Sequence, residues 1–147
     1  MNDNVVSFGE WAQAHNEMVK EKIIRGIDRH EVNRYYDKVI NVSIQHLSLL
    51  ERYLIEEYLG EIIIRFFMIG AEASKQRLAG RTPEEIETVY SKDFYQCIYE
   101  IAGDFRINRH VGEWDAYSVS IMAEDLSVKW FRKGLEYGER QRKMRLL

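Results

Sequence analysis

The most apolar part of the chain, "EEYLGEIIIRFFMIG" (Glu56–Gly70), carries Glu57, Glu61 and Arg65 inside it. On a helix over Glu56–Gln76, the residues Glu57, Glu61, Arg65, Met68 and Glu72 fall four, four, three and four apart. That spacing stacks them in one stripe, because side chains three and four apart share a helical face. Leu59, Ile62, Ile63, Phe66, Phe67, Ile69 and Gly70 fill the rest of the circumference. So wide an apolar arc predicts the central helix of a bundle, covered on most sides, with the charged stripe at its wet edge. A membrane span needs roughly 20 mostly apolar residues. This run is shorter and is interrupted by Glu61 and Arg65, so a core helix is the expectation.

The polar punctuation divides the remainder into helices. Ser7 with Glu10 reads as a capping box, in which hydroxyl and carboxylate each satisfy an orphan amide. The helix it opens should end near Arg25, with Gly26 in the left-handed terminal position. Asp28 with Glu31 opens a second helix bearing Val32, Tyr35, Tyr36, Val39, Ile40 and Val42. Ser48 with Glu51 marks a third start, unless the second and third helices run on through Gln45–Leu49. Gly80 closes the third. In "TPEE", Thr82 caps, Pro83 takes the first helical position and Glu84 and Glu85 face the positive end of the helix dipole. The fourth helix carries Ile86, Val89, Tyr90, Phe94, Ile98 and Ile101, with an interruption near "YSKD". Gly103 to Gly112 reads as a loop, and the longest helix follows over about Glu113–Arg142.

In that last helix Trp114, Tyr117, Ile121, Val128, Phe131 and Leu135 read as the apolar face, with Asp125 on the same side. An unpaired buried carboxylate is costly, so Asp125 either sits at the margin of the face or belongs to a polar site. Gly134 and Gly138, four apart, would let another backbone approach closely, or else mark a fraying end.

Composition adds exclusions. The chain has 147 residues, one proline and one cysteine, Cys97. Scarce proline permits long helices. A single cysteine cannot form an internal disulfide, and the N-terminal residues lack the pattern of a secretory signal, so a reducing cytoplasmic setting is expected. No hairpin signal, repeat or linker breaks the reading of one domain over 1–147. The residues three before His15, His30, His46 and His110 are Ala12, Ile27, Ser43 and Ile107, so the Glu-x-x-His motif of carboxylate-bridged metal bundles is missing. Zinc-ligand spacings, nucleotide-cradling glycine loops and nucleophile elbows are missing too, and no cofactor is expected. Cys97 lies in "FYQCIYEI", a setting for a buried small hydrophobe.

Charge is unevenly placed. Net charge is −3, yet Lys129–Leu147 holds seven Lys/Arg against two Asp/Glu, which leaves −8 on residues 1–128. The basic tail, 139–147, offers Arg140, Arg142, Lys143 and Arg145 as contacts for a nucleic acid or an anionic membrane. Basic residues also suit the negative end of a helix dipole with no ligand at all.

"NVVSF" (Asn4–Phe8), "FMIGAEA" (Phe67–Ala73) and "KWFRKGLEYGERQRKMRLL" (from Lys129) resemble the small YbaK-like proteins of spore-forming Gram-positive bacteria. That family is a domain of unknown function, distinct from the tRNA deacylase that shares the name. The resemblance implies a small cytosolic bacterial protein and supplies no catalytic residue.

The expectation is therefore an all-α, single-domain bundle of about five helices around Leu49–Ala79. The leading functional reading is a non-enzymatic interaction or regulatory protein, with a protein partner or a second copy of itself. Two alternatives stand beside it. One is nucleic-acid association through the basic tail. The other is an enzyme whose polar site is assembled across helices from Asp125, Arg65 and His46.

Overall fold

In the computed structural model, which describes residues 17–147, every regular element is helical. Helix α1 covers residues 17–24. Helix α2 (Arg29–Tyr35) continues through a π-helical turn, Tyr36–Ile40, into α3 (Asn41–Ile44). Then follow α4 (Leu49–Ala73), α5 (Lys75–Leu78), α6 (Pro83–Tyr90), α7 (Phe94–Phe105), α8 (Ile107–His110) and α9 (Glu113–Lys143). Two expected starts carry full capping boxes, Ser48 with Glu51 and Thr82 with Glu85. The second and third helices are therefore separate. The expected pair Ser7 and Glu10 lies outside the described residues.

Several boundaries differ from expectation. Gly26 does not adopt the left-handed conformation. Its missing Cβ instead makes room for the Tyr137 ring, whose atoms would stand 2.5 Å from a methyl there. The third helix breaks at Ser74, whose hydroxyl donates to the carbonyl of Ala71 at 2.5 Å, before Gly80 ends α5 with φ 89°. The expected loop from Gly103 is largely helical: α7 continues to Phe105, and Arg106 at φ 55° turns the chain into α8. The interruption near "YSKD" is a short 3-10 turn, Ser91–Asp93.

Helices α4 and α9 lie side by side and parallel. Going up the pair, Phe67 meets Gly134, Ala71 meets Gly138 and Ser74 meets Arg142. A Cβ on Gly70 would overlap the Phe131 carbonyl oxygen and stand 2.8 Å from the Leu135 amide. One on Gly134 would overlap the carbonyl of Phe67. One on Gly138 would stand 2.6 Å from the Ala71 oxygen. Backbones approach this closely only where side chains are absent, so the glycine spacing in "GLEYG" is a packing device.

The remaining segments run antiparallel to this pair on two flanks. On one, Glu31 of α2 pairs with Lys133 at 2.6 Å, Tyr35 lies under Lys129 and His46 reaches Asp115. On the other, Phe94 of α7 packs edge-on against both Phe66 and Phe131, and Phe105 against Tyr58. One core results, with Ile55, Leu59, Ile62, Phe66, Leu126 and Trp130 almost wholly shielded from water. Each large apolar side chain so buried contributes about 1.5–3 kcal/mol. The stripe expected to face water does so: Glu57, Arg65 and Glu72 are exposed, and Arg65 donates to Glu61 at 3.0 Å.

Candidate interaction surface

The apolar face expected for α9 needs correction in its first half. Trp114 is 85% exposed, Tyr117 63% and Ile121 50%. The buried stripe is Val119, Met122, Ala123, Leu126, Ser127, Trp130, Phe131, Gly134, Leu135 and Gly138. Only Phe131 and Leu135 of the expected set are buried, with Val128 half-buried. The core side of α9 mixes large residues with small ones, and the small ones Gly134 and Gly138 stand where α4 comes nearest.

Trp114, Tyr117 and Ile121, three and four apart, thus form a stripe that no described element covers. Antiparallel to it runs α7, whose Tyr95 and Tyr99, four apart, are each 71% exposed. A hydrogen bond to the Glu124 carboxylate raises the Tyr95 hydroxyl pKa above its ordinary value, and Tyr117 is also close. Exposed aromatic side chains thus occupy the neighbouring helices α7 and α9 as a strip, with Tyr95 beside Glu124 and Tyr117. Leu49, Leu50 and Tyr53, all exposed, stand at the same end of the bundle, where α4 begins beside α9.

The strip is set among acids. Glu113, Asp115, Glu124 and Asp125 lie in the first half of α9, and no Lys or Arg occurs between Glu113 and Val128. Glu100 adds another from α7. His46 bonds Asp115 through Nε2 at 2.8 Å and pins the α3–α4 turn to the first turn of α9, while His110 stands on α8 at the same end, with Arg109 and, at the helix start, Arg106.

The three residues considered for an assembled polar site are not joined. His46 is held by Asp115, Arg65 by Glu61 on its own helix, and Asp125 is exposed beside the Tyr35 hydroxyl. Burial, then the bond to Asp125, pushes that phenol well above its ordinary range. No hydrogen bond or ion pair links any two of the three among the described residues. The Tyr58 hydroxyl is pushed up to about 12 by burial and then by Cys97. Burial likewise raises the Cys97 thiol, which disfavours the thiolate a nucleophile needs. A groove of about 640 Å³ between α1, α2 and α4 is lined by Ile24, Ile27, Val32, Ile63 and Ile64, together with Arg25 and Arg29. Among the described residues, none of its lining side chains is a carboxylate, imidazole or thiol. Among the described residues no three His, Cys, Asp or Glu side chains converge to hold a metal ion, and no helix is long and apolar enough to cross a membrane.

The basic tail divides. The Arg142 guanidinium donates to Ser74 Oγ at 2.7 Å and to the Ala71 carbonyl at 3.4 Å, closing the C-terminal end of α4. Lys143 pairs with Glu139 at 3.3 Å, and Arg77 pairs with the same carboxylate at 3.2 Å. Arg140 and Arg145 are exposed and make no ion pair among the described residues. Two of the four expected anion contacts are thus occupied within the bundle. No family model, no curated protein and no solved structure matches the chain.

Proposed function

We propose that this chain is a non-enzymatic interaction protein, and that the strip of Tyr95, Tyr99, Trp114, Tyr117 and Ile121 is its docking surface. The observation that carries the reading is the exposure of these large side chains together at one end of an otherwise well-buried core. Contiguous apolar patches on a soluble surface mark binding sites, and tryptophan and tyrosine are the residues most often responsible for binding energy. The acidic surround selects the partner's chemistry: a basic protein segment with apolar side chains of its own. Like charge would oppose a symmetric pairing of two such strips. Membership of the YbaK-like proteins, and with it a bacterial cytosol, belongs to the same proposal.

An array of helical peptides graded in net charge and apolar content tests it. Basic peptides with apolar faces should bind the intact chain, and acidic peptides of equal hydrophobicity should not. The double variant W114A/Y117A should lose most of that binding. Its stability should stay within about 0.5 kcal/mol, because both side chains already face water. Equal binding by acidic and basic peptides, or full binding by the variant, would overturn the reading.

A further inference from the structure

The end of the bundle opposite the aromatic strip has the reverse character. Here α4 finishes, α5 turns off it and the last turns of α9 come alongside, tied by Arg142 to Ser74 and by Arg77 to Glu139. Lys75, Arg77, Arg81, Arg140, Arg142, Lys143 and Arg145 gather at this end, with Lys22 of α1 bonded to the Leu146 carbonyl, and outnumber the acids beside them, Glu21, Glu72, Glu84, Glu85, Glu136 and Glu139. Lys75, Arg81, Arg140, Lys143 and Arg145 are exposed. Three large apolar side chains, Leu78, Met144 and Leu146, are exposed among them.

Arg145 stands at the turn that ends α9. The amide of Leu146 bonds the Gln141 carbonyl at 2.8 Å and that of Arg145 bonds the Arg142 carbonyl at 3.0 Å, a Schellman termination with Arg145 at φ 58°. The same motif closes α5, where the amide of Arg81 bonds the Gln76 carbonyl, and there glycine, Gly80, takes the left-handed place. At the end of α9 an arginine stands where glycine would be unstrained.

From this arrangement we infer that the basic end docks on an anionic lipid surface. Cations interspersed with exposed leucine and methionine are the composition of elements that lie at the membrane interface, where the apolar side chains enter the headgroup boundary and the charges meet anionic lipids. A duplex offers phosphates but nothing for Leu78, Met144 and Leu146 to enter. A single-strand binder stacks bases on aromatic side chains, and none lies among the tail charges from Glu139 to Leu147. The acidic end, repelled by the same surface, would point away from it with the aromatic strip free. Lipid contact at this end stands whether or not that strip docks a protein.

Sedimentation of the full chain with vesicles tests it. Vesicles containing phosphatidylglycerol should carry the protein down, pure phosphatidylcholine vesicles should not, and binding should fall as salt rises from low to physiological ionic strength. R140Q/R145Q should weaken partitioning by about 30-fold, from the contribution of each basic residue near such a surface. L78S/M144S, which removes no charge, should also weaken it, and that separates lipid insertion from plain counterion attraction. Circular dichroism of each variant should match the parent, since all four residues are exposed. No binding to the anionic vesicles, binding indifferent to L78S/M144S, or tighter binding to duplex or single-stranded DNA than to vesicles would each overturn the inference.

Discussion

Single residues at helix ends decide more here than propensity alone indicates. Arg106 sits at φ 55° between α7 and α8, a conformation that costs an L-residue with a Cβ roughly 1–2 kcal/mol. Glycine would adopt it freely but is more flexible when unfolded, which offsets part of the gain. R106G should therefore raise stability by about 0.5–1 kcal/mol in urea unfolding; a loss would mean that the arginine side chain holds the turn. Arg142 shows the opposite case. Its guanidinium meets the carbonyl end of α4, where positive charge is favoured and free carbonyls need donors. R142A should cost about 1–2 kcal/mol, and R142K should recover only part of it, because an ammonium cannot reach Ser74 and Ala71 with the fixed fork of arginine. Glu139 adds a pH dependence. The bonds from Arg77 and then Lys143 hold its carboxyl below the usual carboxylate range. A depressed folded-state pKa contributes stability above the unfolded value, and that contribution disappears as pH falls through the folded value. The difference in melting temperature between the parent and E139Q should thus be present at pH 7 and shrink below about pH 4.5.

At the scale of helices, most starts are legible because each is written locally. Ser48 with Glu51 and Thr82 with Pro83 and Glu85 specify caps within four residues, and both caps form. The identity of the central helix is legible as well, since an arc as wide as Leu59 to Gly70 has nowhere to go but inward. The face of α9 is legible only in its second half, where Phe131 and Leu135 are buried as expected. Bulk at helical spacing points Trp114, Tyr117 and Ile121 to the core, yet Ala123, Ser127 and Trp130 are the residues buried there. The missing information is non-local: only the approach of Phe67 and Gly70 makes Gly134 the right residue at the centre. The candidate surface is hidden for the same reason, while the acidic bias around it is visible in the charge count. Substitution of glycines separates these roles. G70A and G134A should each destabilise by about 2 kcal/mol or more, because the added methyl meets backbone that cannot repack. The two should also be non-additive, since they wedge the same pair of helices apart. Gly103 on α7 has nothing within 4 Å of the place a Cβ would take. G103A should instead stabilise by about 0.5–1 kcal/mol as glycine's flexibility is removed.

Across the whole molecule, charge and topology fit together. The most intimate pair of helices is parallel, which sets two like dipole ends side by side at each end of the bundle. Acids cluster at the starts of α4 and α9 and bases follow their ends, with Glu51, Glu56 and Glu57 at one extreme and Lys75, Arg77 and Arg81 at the other. Each cluster opposes the partial charge of the helix ends beside it. The same clusters produce the two contrasting surfaces, so recognition and stability draw on one distribution of charge. Both flanks also rest on the same two helices: α2 reaches α9 through Glu31 and Lys133, and α7 reaches α4 and α9 through Phe94. Among the described residues neither flank has a core of its own, and Trp130 lies in the shared one. Unfolding should therefore be a single cooperative transition, with Trp130 fluorescence and far-ultraviolet circular dichroism tracing coincident melting curves. Trp114, already in water, contributes little to the fluorescence change, and W11F/W114F leaves Trp130 as the single tryptophan reporter. G134A should lower both curves together. Separation of the two, with fluorescence changing first, would mean that a flank detaches before the central pair parts.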